Sequence, residues 1–224
     1  MTIDFTLTPE LDELRLRIRS FVDEVIKPTE AELTDPDHIE DRAEYLTKLI
    51  GMRTKAQEAG IWLPHMPKEW GGMGLGHVEL AMVQAEAAKA YYGPFVFNCM
   101  APDEGNMHTL LHWATDEQKQ KYLKPLCDGT TMSCFAMTEP EVAGSDPTLI
   151  RTHAVQDGDE WVINGHKWFI SNARRASFAI LICRTEDNPD LPQAANTAFI
   201  VETHWEGWNR VREVETMHGG TGHS

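Results

Sequence analysis

The 224-residue chain lacks the marks of several large protein classes. No apolar run approaches the ~18 residues that a membrane-spanning helix needs. Bases are scarce: 20 Lys and Arg stand against 35 Asp and Glu, a net charge of −15. Neither nucleic acid nor an anionic membrane is therefore an expected partner, because neutralising phosphate takes a surplus of cations. Cysteine is rare, and Cys99, Cys127, Cys134 and Cys183 show no CxxC spacing. They read as buried thiols of a reducing cytoplasm, not as a disulfide framework. No GxSxG, Walker motif or Cys–His pair is present, which removes the nucleophile or cradle of hydrolases and nucleotidases. The first residues, MTIDFTLTPELDELRLRIRS, hold acids and no apolar segment, so they read as neither secretory signal nor transit peptide.

What is present is ordinary globular material, 42% apolar and 25% charged, long enough for one large domain or two small ones. The first ~130 residues read as helices. Leu11, Leu14, Ile18, Phe21, Val22 and Val25 recur at three- and four-residue spacing behind Thr8 and Pro9, and Pro28 is expected to end that helix. Further helices are expected over Arg42–Glu58 with a stop at Gly60, over His77–Tyr91, over Pro102–Trp113, and after a capping box at Thr115 and Gln118. Beyond Asp128-Gly129 the period falls to two. Short strands are expected over Thr131–Met137, Arg151–Gln156, Trp161–Ile163, Lys167–Ile170, Ala179–Arg184 and Ala198–Val201. Asp157-Gly158, Asn164-Gly165 and Asn188-Pro189 act as the turns between them, with Asn164-Gly165 as a two-residue hairpin. The fold class is thus α+β: an all-α domain over 1–130, then an antiparallel β-barrel or sandwich domain over 131–224 packed against it. The chain closes on turn formers with no final strand or helix, which reads as a β-domain cut short.

Two motifs have bland readings that outweigh the chemical ones. Gly71-Gly72-Met73-Gly74-Leu75-Gly76 looks like a phosphate loop, but no strand precedes it, so it reads as a connector whose glycines allow close packing. His108 and His112 are four apart on one helix, yet no HExxH pattern or third ligand is evident, and no metal is expected.

The informative stretch is Phe135-Ala-Met-Thr-Glu-Pro-Glu-Val-Ala-Gly-Ser-Asp146, followed by Val162-Ile-Asn-Gly-His-Lys-Trp-Phe-Ile-Ser-Asn172. A strand ending in Thr-Glu-Pro and a small-residue turn can offer N–H groups and a hydroxyl to an anion. Phe169 and Ser171, two apart on a strand, would face one side and meet one planar ligand. Flavin adenine dinucleotide has that combination of flat ring and pyrophosphate; a plain β-barrel with turn glycines is the other reading of the same residues.

The runs TEPEVAGSD and DGDEWVINGHKWFISNA, with LPHMPKEWGGMGLG and TDEQKQKYLKPLCDGT upstream, resemble the acyl-CoA dehydrogenases in order and spacing across nearly the whole chain. The resemblance is nearest the subgroup with one extra residue in the TEP…SD loop. It implies a flavoprotein that removes hydrogen from the α and β carbons of an acyl-CoA, with a hydride passing to flavin N5. It also implies site residues. Main-chain groups of Phe135 and Met137 would run along the flavin pyrimidine edge, and the Thr138 hydroxyl would bond the ring. Gly144 and Ser145 would meet the pyrophosphate, with Ser145 also near the acyl-CoA substrate path. Phe169, where the family has Trp, would lie on the ring face away from substrate, and Ser171, where it has Thr, would contact N5. The family's catalytic carboxylate sits in a C-terminal helical domain, so no base is assigned within 1–224; Glu139 and Asp146 read as structural. Electron-transfer flavoprotein as acceptor and a homo-oligomer are implied likewise. An oxidase relative, or a flavin-binding half-site subunit completed by a partner chain, are the alternatives.

Overall fold

A computed structural model describes residues 6–33, 41–186, 190–191, 195–217 and 222–224. The expected turn at Asn188-Pro189 lies outside them. The chain divides into two compact units, residues 1–129 and 130–224.

The first unit is helical. The Thr8 hydroxyl accepts the Leu11 N–H at 3.3 Å, and helix α1 (Pro9–Phe21) carries Pro9 in the first turn, where its missing N–H has no intrahelical partner to lose. Pro28 does not end the helix as expected. A π-turn over Val22–Ile26 leads directly into α2 (Lys27–Glu32), with Pro28 in its first turn. In a regular α-helix a proline ring collides with the carbonyl four residues back. The wider turn, closed by the Lys27 N–H on the Val22 carbonyl, accommodates it. Helix α3 spans Arg42–Glu58 and α4 spans His77–Ala87, shorter than the spacing suggests. The short α5 (Gly93–Val96) is followed by α6 (Asp103–Trp113). The reciprocal Thr115–Gln118 capping box opens α7 (Asp116–Gln118), and α8 spans Lys124–Cys127.

Ile18, Val22, Ile26, Met52, Ala56, Val83, Ala87, Met107 and Leu123 form the buried interior of this unit. Charged residues join them, among them Arg53, Asp103 and Glu86. Glu86 on α4 is 5% exposed and accepts Arg19 of α1 through both guanidinium arms, at 2.7 and 3.1 Å, and Lys89 at 2.5 Å. The Arg19 hydrogen bonds outweigh burial and hold its carboxyl down at about 2. Glu86→Gln is expected to destabilise the protein by about 1.5–3 kcal/mol, the range for a hydrogen bond to a charged group. In the parent the contribution is complete above the ordinary carboxylate range near 4.5 and is lost as pH falls toward 2. Urea unfolding at pH 7 and pH 3 checks this: the parent–variant gap should shrink at the lower pH.

The glycine run follows a 3₁₀ turn over Lys68–Trp70, not a strand. A Cβ on Gly72 would sit 2.1 Å from the Met66 carbonyl oxygen. Close packing is what the run provides.

The second unit holds β1 (Ser133–Ala136), β2 (His153–Asp157), β3 (Glu160–Asn164), β4 (Phe178–Arg184) and β5 (Asn196–Glu202). β4 is central: its nearly continuous apolar run Phe-Ala-Ile-Leu-Ile-Cys is buried, as a strand covered on both faces requires. β5 pairs antiparallel along all of β4, β1 pairs parallel with its first half, and β2 meets its end at His153–Arg184. The expected α+β class holds, but the expectation of an antiparallel barrel needs correction. The sheet is mixed, and among the described strands it does not close into a barrel. The forty-odd residues between β1 and β4 exceed the dozen or so a parallel connection needs. Cys134, Ala136, Ala154, Ile170, Ala179, Leu181 and Cys183 form the core of this unit.

The hairpin expected at Asn164-Gly165 is also displaced. β2 and β3 pair from His153–Asn164 to Asp157–Glu160, so the two-residue turn is Gly158-Asp159. Residues 166–170 are not a strand. Gly165 instead serves close approach: a Cβ there would lie 2.2 Å from Thr152 Oγ1.

Candidate functional site

The site residues gather around the end of β1. Glu139, 2% exposed, accepts the backbone N–H groups of Arg151 at 2.7 Å and Thr152 at 2.8 Å, and the Lys167 ammonium at 2.8 Å. Burial pushes the carboxyl up, but Lys167 and the backbone donors outweigh it and hold it at about 2. Lys167 is itself lowered, by burial working against the attraction of Glu139. The same ammonium donates to the Met137 carbonyl at 2.8 Å. Glu139 is thus a buried, ionised clasp, with its oxygens committed to backbone and lysine. Asp146 is committed too, since its Oδ1 accepts the Thr148 N–H at 3.0 Å and hydroxyl at 2.6 Å, opening the 3₁₀ turn Pro147–Leu149.

Lys167 begins a segment that lies against β1. The Trp168 N–H donates to the Thr138 carbonyl at 3.0 Å, and the Asn172 side-chain amide donates to the Ser133 carbonyl at 2.9 Å. With the Lys167–Met137 bond, three hydrogen bonds lace residues 167–172 to 133–138. Phe135, Met137 and Thr138 are in this way brought beside Phe169 and Ser171. Phe135 and Phe169 are exposed, at 39% and 48%, although large aromatic rings usually find cover. Phe169 takes a left-handed φ of +53° and stacks obliquely on Trp168, ring centres 4.6 Å apart. Among the described residues the Thr138 hydroxyl makes no hydrogen bond. The loop folds close to it, because a Cβ on Gly144 would lie 2.5 Å from Thr138 Cγ2. Gly144 and Ser145 are exposed.

Strand alternation is not what places Ser171, since Phe169 and Ser171 do not stand on a strand. Ser171 is held by the last residues of the chain. Ile170 and Ser224 exchange both backbone hydrogen bonds, at 2.9 and 3.1 Å, and the Asn172 N–H donates to the Gly222 carbonyl at 2.9 Å. This sets Ser171 Oγ 2.9 Å from His223 Nδ1. Sequence reasoning missed Lys167 and His223. A lone lysine amid Trp-Phe-Ile, downstream of a lone Glu-Pro, was the available signal for the first; nothing local marks the second.

The structure thus defines a two-unit α+β protein, a helical unit followed by a mixed β-unit, with exposed aromatics and the unengaged Thr138 hydroxyl near the end of its first strand. The acyl-CoA dehydrogenase N-terminal domain matches residues 8–130 and the acyl-CoA dehydrogenase middle domain matches residues 134–224. The chain belongs to the acyl-CoA dehydrogenase family. It is 32% identical to human acyl-CoA dehydrogenase family member 11 over 228 residues, covering 96% of this chain and 29% of that protein. It is 35% identical to the probable acyl-CoA dehydrogenase FadE2 of Mycobacterium tuberculosis over 190 residues, covering 84% of this chain and 46% of the relative. A solved structure from Mycobacterium abscessus, assigned as an acyl-CoA dehydrogenase, superposes with a TM-score of 0.86 at 31% identity, covering 98% of this chain and 57% of that one. The chain spans less than half the length of these two curated relatives.

Proposed function

We propose that this chain is the N-terminal and middle portion of a flavin-dependent acyl-CoA dehydrogenase, with flavin adenine dinucleotide held at the outer edge of β1. The observation that carries the reading is the lacing of residues 167–172 to 133–138, which gathers an exposed aromatic, an unengaged hydroxyl and strand-edge main chain in one place. The residues fit the group. Phe135 and Met137 offer main-chain atoms, Thr138 a hydroxyl, Gly144 and Ser145 an exposed small-residue turn for phosphate, and Phe169 an aromatic surface. A bound flavin supplies the hydride-accepting chemistry; the protein supplies its orientation and electrostatics.

Ser171 has one hydroxyl proton to give. If it is to serve the ligand, His223 must carry its proton on Nδ1 and donate to Ser171 Oγ. Ser145 would also border the acyl-CoA path. With Glu139 and Asp146 both committed to structural bonds, the base that takes the substrate's α-proton is proposed to lie outside these 224 residues. Transfer of electrons to an electron-transfer flavoprotein, homo-oligomerisation and a cytoplasmic setting belong to the same proposal. The four buried cysteines, none of them in a disulfide, support the cytoplasmic setting. No helix among the described residues is long and apolar enough to cross a membrane.

Titrating the chain into the flavin and following its fluorescence tests the reading. Thr138→Ala removes one hydrogen bond of ~0.5–1.5 kcal/mol, so affinity should fall about 2- to 12-fold with the unfolding midpoint unchanged. Equal affinities for parent and variant would remove Thr138 from the site.

A further inference from the structure

We infer that the helical unit carries a divalent transition-metal site, suited to zinc, formed by His65, Glu104 and His108. The three side chains offer donor atoms that all lie within 4.8 Å of one another. His65 comes from the Pro64–Pro67 loop, and the other two stand one turn apart on α6. The spacing of His108 with His112 hides this arrangement, because the partner of His108 lies 43 residues upstream.

The hydrogen bonds assign the lone pairs. His65 Nε2 is 3.1 Å from the Asn98 carbonyl oxygen, which can only accept, so that nitrogen carries the ring proton. His65 is 6% exposed, and its Nε2–H is spent on that carbonyl. Its Nδ1 therefore presents a lone pair, directed at His108 Nε2 3.1 Å away. Two nitrogens on one tetrahedral zinc, at bonds of ~2.0–2.1 Å, stand ~3.3 Å apart. The carboxylate is oriented as well: Gln84 Nε2 donates to both Glu104 oxygens, at 3.0 and 3.1 Å. An imidazole whose far nitrogen donates to a backbone carbonyl, and a carboxylate held by an amide, are the outer contacts that metal ligands characteristically have. Without metal, His108 Nε2–H donates to His65 Nδ1. Metal entry requires only that His108 move its proton to Nδ1, freeing Nε2 as a ligand; no oxidation or proton loss from His65 is involved. Glu104 and His108 are half-buried, so the ion enters from their side. Two imidazoles and one carboxylate leave a fourth position for water, and the bound ion ties the loop to α6.

The test is calorimetric titration of zinc chloride into the chelator-treated full chain. One equivalent should bind, and the unfolding temperature should rise with zinc concentration. His108→Ala and Glu104→Gln, both at half-buried positions, should each weaken that site at least tenfold. His112→Ala should leave it unchanged. Circular dichroism identifies any variant that fails to fold, and the remaining variant then decides. Absence of a stoichiometric site in the parent, or undiminished binding in the folded variants, overturns the inference.

Discussion

Replacing Glu139 by glutamine should destabilise the β-unit by about 3–5 kcal/mol, the range for leaving one member of a buried ion pair without its partner. The Lys167 side chain is 10% exposed and the Glu139 side chain 2%, so water cannot take over the lost interaction. The effect should reach flavin binding as well, because the same carboxylate fixes the chain after the loop at Arg151 and Thr152 and, through Lys167, the start of the segment bearing Phe169 and Ser171. Two companion measurements separate causes. Changing both residues, Glu139→Gln with Lys167→Met, should recover part of the stability by removing the stranded charge. In the parent, the carboxyl held at about 2 means that its contribution is whole above pH ~4.5 and disappears as pH drops toward 2. A loss of less than about 0.5 kcal/mol on urea unfolding of Glu139→Gln would show that the clasp is not formed in solution.

Gly72→Ala and Gly51→Ala should act in opposite directions. A Cβ on Gly72 would meet the Met66 carbonyl oxygen at 2.1 Å, its carbon at 2.6 Å and the Leu63 oxygen at 2.7 Å. All three are backbone atoms that no rotamer change can move. The cost is about 3 kcal/mol, at the upper end for overpacking. Gly51 stands inside α3 with nothing within 4 Å of its added Cβ. Alanine there should stabilise by roughly 0.5–1 kcal/mol through helix propensity alone. Unfolding midpoints of the two variants, measured side by side, check both signs. If Gly72→Ala is neutral, the connector does not pack as described.

Much of the fold was legible because local signals and tertiary structure agree. The α3 boundaries and the Thr115–Gln118 box follow from apolar spacing and cap chemistry, which the structure leaves intact. The failures come where a local signal is overruled, once by a change of helix type and otherwise by a distant contact. Pro28 ends an isolated helix, but a π-turn carries the chain past it. Asn164-Gly165 is a strong hairpin pair, yet Gly165 is needed where Thr152 comes close, and the turn moves to Gly158-Asp159. The parallel pairing of β1 with β4 leaves no trace in a period of two. For the candidate site, sequence and resemblance named Phe135, Met137, Thr138, Gly144, Ser145, Phe169 and Ser171. The clasp that assembles them, Glu139 with Lys167, and the His223 contact depend on residues 28 and 52 positions apart, beyond the reach of any local pattern.

The central claim is that the edge of β1, the TEP loop and residues 167–172 form the flavin site. Amide chemical-shift mapping of the isotopically labelled chain, titrated with flavin adenine dinucleotide, tests it without requiring turnover. The account predicts that the earliest and largest changes fall on Phe135, Met137, Thr138, Gly144, Ser145, Phe169 and Ser171, with the helical unit little affected. Changes concentrated in residues 8–129, or none at millimolar flavin, would contradict it.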